Sequence, residues 1–235
     1  KSAYAQKNSS LFEEGEVLRG EDLVRWKYQR FIDDYLSCAA GVDDSVGKVL
    51  DYLDQAGLAE NTLVVYCSDQ GFFLGEHGWF DKRFMYEQSL RTPLVMRWPG
   101  VITPSRVENR IVSNVDFAQT FLAMAGAKAG EDMQGRSLMP LLTDEPTPDW
   151  RRSFYYHYYE GRDGGHNVCE HEGVTDGRFK LIHFYKLGEW ELFDLETDPL
   201  EMRSCYGEPG YADTQRRLEE ELDRLRLELA VPDEP

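Results

Sequence analysis

Basic charge is scarce in this chain of 235 residues. There are 26 lysines and arginines against 43 aspartates and glutamates, a formal net charge of -17. A nucleic-acid binder needs a basic footprint, so the balance argues against that class. It also gives no long-range attraction to a polyanion, so any anion site must rest on a few local cations. Cysteine is scarce too. Cys38, Cys67, Cys169 and Cys205 form no CxxC pair, which argues against a zinc site. The spacing leaves one disulfide open, and Cys67 sits in an apolar run that reads as a buried free thiol. No apolar run has the length of a membrane span. No signal peptide is visible, but Lys1 is not a start methionine, so its absence carries little weight. No histidine precedes His77, and no internal repeat occurs.

What is present suits a globular protein. The hydrophobic fraction of 41% supports a core in one large or two small domains. Apolar positions at near-helical spacing (Leu23, Trp26, Phe31, Tyr35, Leu36, then Val46, Val49, Leu50, Leu53) predict helix over 21–56. Gly41 is the expected break between two helices, and Gly57 the end of the second. The β-branched run Thr62 to Ser68 predicts a buried parallel strand, and Pro93 to Trp98 a second strand. An apolar helix is expected over 114–125. Helix, strand, long loop, strand and helix in this order give an α/β class.

Two prolines among acids at 143–150 read as a linker. Beyond it, 154–159, 180–185 and 190–195 predict three strands of a small antiparallel sheet. The charged amphipathic helix 211–230 would cover one of its faces.

The stretch from Cys67 to Arg83 carries the chemistry. It starts where a strand ends, the place where open α/β sheets bind ligands. Asp69 and Gln70 offer hard oxygens suited to calcium or magnesium. Gly71 permits a sharp turn beneath them. His77 and Lys82 could bind or protonate an anion, and a lysine is a compact point charge for one oxyanion oxygen. Taken singly, each residue also fits a plain turn or a solvated loop.

Ser68-Asp69-Gln70-Gly71, Leu74-Gly75-Glu76-His77-Gly78 and Lys82 together resemble the second signature of the type I sulfatases, within the alkaline phosphatase superfamily. Met85 to Leu94, Arg97 to Gly100, Tyr35 to Leu53 and Asn114 to Phe117 extend the resemblance over most of the chain. It implies a partial alkaline-phosphatase-like sheet with helices over 1–145. A small α+β subdomain, an antiparallel sheet plus a C-terminal helix, would follow over 146–235. It implies Asp69 and Gln70 as ligands of calcium, with magnesium as the alternative. Lys82 would hold a sulfate oxygen, and His77 would act there or brace the loop. An extracytoplasmic location, periplasmic or secreted, is likewise implied by the family alone.

The resemblance also shows what these residues do not supply. Calcium takes about six to eight oxygens, and the motif provides about three. The family's formylglycine arises from Cys or Ser in a C/S-x-P-S/A-R motif, and no cysteine here has proline two residues on. Ile102-Thr103-Pro104-Ser105-Arg106 matches except at the nucleophile position, which is isoleucine, and it lies after the metal motif. The expectation is the C-terminal part of a longer sulfatase whose N-terminal half holds the nucleophile, and a chain inactive alone.

The aromatic and polar C-terminal region resembles that of bacterial glycan sulfatases of the N-acetylglucosamine-6-sulfatase type. A sulfated carbohydrate or aryl sulfate is then the expected substrate, with His166 and His171, in a glycine-bounded loop, as candidate sugar contacts. The alternatives are a phosphonate or phosphate ester hydrolase of the same superfamily and a non-catalytic glycan-binding remnant.

Overall fold

The computed structural model describes residues 18–161 and 165–232. Along the chain, α1 (Gly20–Gln55) leads to β1 (Val64–Cys67), then β2 (Phe73–Leu74), β3 (Phe80–Asp81), α2 (Glu87–Leu90) and β4 (Leu94–Arg97). Next come α3 (Phe117–Met124), α4 (Met139–Leu142), β5 (Phe154–Tyr158), β6 (His171–Thr175), β7 (Phe179–Phe184), β8 (Glu189–Asp194) and α5 (Ala212–Glu228). Helices and sheets are both present, as the α/β reading requires. The chain divides into two compact units, one built from residues up to Leu63 plus Phe72–Asp81, the other from Val64–Gly71 plus the rest.

The first unit is dominated by α1, a single helix of 36 residues. The expected break at Gly41 does not occur. An interior glycine costs about 1 kcal/mol relative to alanine, too little to end a helix whose flanks continue it. Phe31 is its one buried residue, with Phe80 of the antiparallel β2–β3 hairpin edge-on at 4.6 Å. Val24, Tyr28, Tyr35, Val42, Val49 and Tyr52 are exposed and recur mostly every seven residues.

In the second unit, β1 pairs with β4 in antiparallel register, Val64 opposite Arg97 and Cys67 opposite Leu94. The run at 62–68 was expected to be a buried parallel strand. Composition specifies an extended apolar segment but not its neighbour's direction. Tyr66 and Cys67 are exposed, so Cys67 is not the buried thiol the apolar run predicted. All four cysteines are free.

The segment 143–150 is no loose linker. Trp150 is buried with Leu138 and Leu141, and its indole N–H donates to the Ile111 carbonyl at 2.8 Å. Arg151 then forms a two-pronged ion pair, 2.6 Å on each arm, with fully buried Asp116. The following sheet has four strands in sequential antiparallel order. Its unexpected member, β6, is buried at every residue. Leu218, Leu222 and Leu225 of α5 pack on Val174, Leu181 and Leu192 of one sheet face, as the amphipathic pattern predicts. Each such leucine contributes roughly 1.5–3 kcal/mol by leaving water.

Candidate functional site

Asp69 and Gln70 follow directly on β1, in a bend. The Ser68 hydroxyl donates to the Gln70 carbonyl at 2.8 Å and closes the turn locally. Asp69 is left exposed and Gln70 half-buried. Gly71 is required by crowding. Its N–H donates to the Ser89 carbonyl at 2.8 Å, and a Cβ there would lie 2.0 Å from the Gln88 carbonyl oxygen.

Ser89 also reaches the other end of the signature. Its hydroxyl accepts from the backbone N–H of Arg83 at 3.2 Å. One residue, 7% exposed, therefore ties the Asp69-Gln70 turn and the segment bearing Lys82 to the same short helix, α2. Sequence reasoning passed over Ser89, because a single hydroxyl in a helical turn carries no pattern of its own.

The Lys82–Leu90 segment is in turn seated on the face of the C-terminal sheet opposite α5. The Tyr156 hydroxyl donates to the Arg83 carbonyl at 2.5 Å. Phe84 stacks on His171 at 5.7 Å. Fully buried Met85 lies against Gly173, where a Cβ would fall 2.5 Å from its sulfur. The Tyr86 hydroxyl donates to Glu191 at 2.6 Å, and burial, ahead of that carboxylate, holds its pKa far above the ordinary phenol value. Beneath α2, Lys180 Nζ lies 2.8 Å from Glu87 and 2.5 Å from Glu201. Glu201 also accepts from the Glu87 backbone N–H at 2.7 Å. The small sheet is thus the platform for the lysine-bearing segment, a role the sequence did not reveal.

Arg83 has φ of 127°, a region L-residues rarely adopt. Such backbone persists where surrounding contacts over-determine it, and Ser89 and Tyr156 supply those contacts here.

The remaining predicted residues separate. His77 belongs to the first unit, in a short turn (Glu76–Gly78) with φ of 56°, between Phe73 at 6.0 Å and Trp79 at 5.5 Å. His166 is half exposed, its Nδ1 2.8 Å from Glu160. The Tyr158 hydroxyl and then His166 hold the Glu160 pKa below its usual value. His171 is not in a loop but opens β6, with 0% exposure. Its Nδ1 donates to the Cys169 carbonyl at 2.8 Å, and Tyr156, Tyr158 and Phe184 surround the ring. Burial, above all, pushes its pKa down, so the ring is a neutral support beneath Phe84.

Residues 3–127 match the family model described as Sulfatase. Residues 75–228 match the one described as N-sulphoglucosamine sulphohydrolase, C-terminal. The chain belongs to the sulfatase family. A similar curated sulfatase is the N-acetylglucosamine-6-O-sulfatase of Bacteroides thetaiotaomicron, 48% identical over 228 residues. That match covers 96% of this chain but 40% of the relative, so the chain spans about two fifths of that length. A solved structure described as in complex with its substrate D-glucosamine-2-N,6-O-disulfate is similar with TM-score 0.90 and 44% identity. It covers 98% of this chain and 47% of the other. The phosphonate monoester hydrolase of Agrobacterium radiobacter is further off, at TM-score 0.69 and 28% identity, over 81% of this chain and 40% of that one.

Sulfatases use a metal ion and a formylglycine as a family. The oxygens of Asp69 and Gln70 suit a hard cation. Among the described residues no group of three or more His, Cys, Asp or Glu side chains could hold a metal. The donor type fits, and the donor number does not close within these residues. No helix among them is long and apolar enough to cross a membrane.

Proposed function

We propose that this chain supplies the metal turn and the anion clamp of an enzyme that hydrolyses sulfate esters of a sulfated carbohydrate. Asp69 and Gln70 are two ligands of a calcium ion, with magnesium as the alternative. Lys82 holds an oxygen of the sulfate group, His77 braces the loop between them, and His166 meets the sugar. His171 supports the lysine-bearing segment from below. Residues 1–145 are then part of the catalytic α/β domain, and 146–235 are the subdomain on which its Lys82 segment rests. The nucleophile and the remaining metal ligands come from a further portion of the enzyme, which acts outside the cytoplasm.

The observation that carries this reading is the double tie through Ser89. It ties the backbone just after Asp69-Gln70 and just after Lys82 to one helix, which supports a joint role of these residues in stabilising charge on a transferring sulfuryl group. A bound metal would add Lewis-acid stabilisation there. Lys82, as a point charge, would favour the oxyanion of the transition state over the neutral ester oxygen. The exposed stripe on α1 and the two-stranded β1–β4 sheet support a further portion, since both present surfaces that pairing or packing would cover.

The test is turnover of glucosamine 6-sulfate by the complete enzyme. Lys82→Ala and Asp69→Asn are each expected to lower kcat/KM about 10²–10³-fold, with the Asp69 variant also needing more calcium. Full activity in both variants would remove the assignment. Faster cleavage of a phosphonate monoester than of the sulfate would favour the phosphonate hydrolase reading, to which the 28% identical relative points.

A further inference from the structure

A cavity of about 860 Å³ opens in the second unit between the segment before α3, the entry to β5, the β6–β7 turn and one face of α5. It shares no residue with Asp69, Gln70, His77 or Lys82. Six arginines line it: Arg110, Arg151, Arg152, Arg178, Arg217 and Arg224. Lysine is absent from the lining, and the carboxylates there are Asp176, Glu220 and Glu221. Among the lining residues alone, six cations stand against three anions.

Five of the six guanidinium groups are already held in place by ion pairs, those of Arg217 and Arg224 partly by carboxylates of the lining itself. Arg151 is paired with Asp116, Arg178 with Asp194 and Glu196, Arg217 with Asp176, and Arg224 with Glu221 and Glu228. Arg110 is paired with Glu108. A guanidinium has five N–H donors, and these pairs leave several of them unused. A fork already fixed loses little freedom when it binds a further oxyanion. Arg152 is exposed and has no hydrogen-bond or ion-pair partner among the described residues. Phe179 adds an apolar surface, with the Arg178 and Arg217 guanidinium carbons 4.7 and 5.9 Å from its ring centre.

Arginine forks match the geometry of sulfate and carboxylate oxygens, and a lysine point charge does not. The cavity volume lies within the range of small-molecule sites, roughly 300–1,000 Å³, enough for one or two sugar rings. We propose that this cavity is a second binding site for anionic carbohydrate, which engages the sulfate and carboxylate groups of a glycan chain. The anion site stands on the geometry alone; naming a sulfated glycan as its ligand rests on the function proposed above.

The test uses the complete enzyme, wild type and Arg152→Glu, with a sulfated glucosamine–uronic acid tetrasaccharide as the calorimetric probe. Arg152 is solvent-exposed and has no partner among the described residues, so its replacement leaves folding intact; Arg217→Ala provides an independent second variant. The wild type is expected to bind tetrasaccharide at two sites. Arg152→Glu should weaken one of them at least tenfold and leave turnover of glucosamine 6-sulfate unchanged. Unaltered tetrasaccharide binding in both variants overturns the proposal, and so does inorganic sulfate filling the second site as tightly as the tetrasaccharide. An enzyme that binds the tetrasaccharide through Arg152 yet cleaves no sulfate ester would keep this site and refute the function.

Discussion

Lys180→Met removes one side of a buried charge cluster and should be among the most damaging single changes in the chain. The Lys180 and Glu201 side chains are both 0% exposed, with Nζ 2.5 Å from the Glu201 carboxylate. Without the ammonium, Glu201 keeps among the described residues only the Glu87 backbone N–H as a donor, with the methionine side chain in place of the buried Lys180. Stripping one partner from a buried pair costs about 3–5 kcal/mol, equivalent to a fall in Tm of roughly 6–20 °C for a protein of this size. Burial already raises the Glu201 pKa, ahead of the opposing pull of Lys180, and losing Lys180 raises it further. A raised folded pKa favours the protonated fold, so that stability is present at low pH and lost as pH rises through the folded value. The Lys180→Met deficit should therefore be largest above pH 7 and shrink in acid. Lys180→Met with Glu201→Leu should recover most of the loss, since an apolar replacement of a buried pair is neutral or stabilising. Urea unfolding at pH 7.5 and 5.0 measures all three. A single-variant deficit below about 1 kcal/mol at pH 7.5, or one that grows in acid, would refute this account of the cluster.

Gly71→Ala places a Cβ 2.0 Å from the Gln88 carbonyl oxygen, so the Asp69-Gln70 turn must move. A misplacement near 1 Å costs about 10² in rate, to be read as kcat/KM of the complete enzyme; a wild-type value would show that the turn is not part of the site. His171 has a depressed pKa from burial, so its contribution is full above the unfolded value near 6.5 and is lost as pH falls through the folded value. His171→Phe should flatten the decline in stability between pH 6.5 and 5, and parallel slopes for variant and wild type would contradict it.

Periodicity made the largest elements legible. The leucines of 211–230 announce α5 and the face it covers, and the aromatic runs announce β5, β7 and β8. Strand β6 stayed hidden because His171-Glu172-Gly173-Val174-Thr175 has no apolar alternation. Its buried carboxylate, Glu172, is satisfied by partners elsewhere in the chain, Tyr155 and Arg226, and Gly173 makes room for Met85. Trp150 likewise turns a proline-bounded acidic stretch into packed structure through a contact 39 residues away. At the candidate site, residue type is what points to the chemistry proposed for Asp69, Gln70 and Lys82. What holds them is non-local, in Ser89, Tyr156 and the Lys180 cluster, and pattern reading along the chain does not reach contacts of that kind. Histidines are the clearest case: His166 and His171 lie five residues apart, yet one is at the surface and the other in the core.

The uncovered side of α1 has a consequence for handling the protein. Valines and tyrosines at positions 24, 28, 35, 42, 49 and 52 recur at intervals of four, seven, seven, seven and three, on the heptad along which helices zip together. In dilute solution such a seam finds whatever apolar partner is nearest, another copy included. The high negative charge delays that encounter at low salt, and screening at physiological ionic strength removes much of the delay. A preparation of these residues by themselves is thus a colloidal problem before it is an enzymological one, with salt and concentration setting its shelf life.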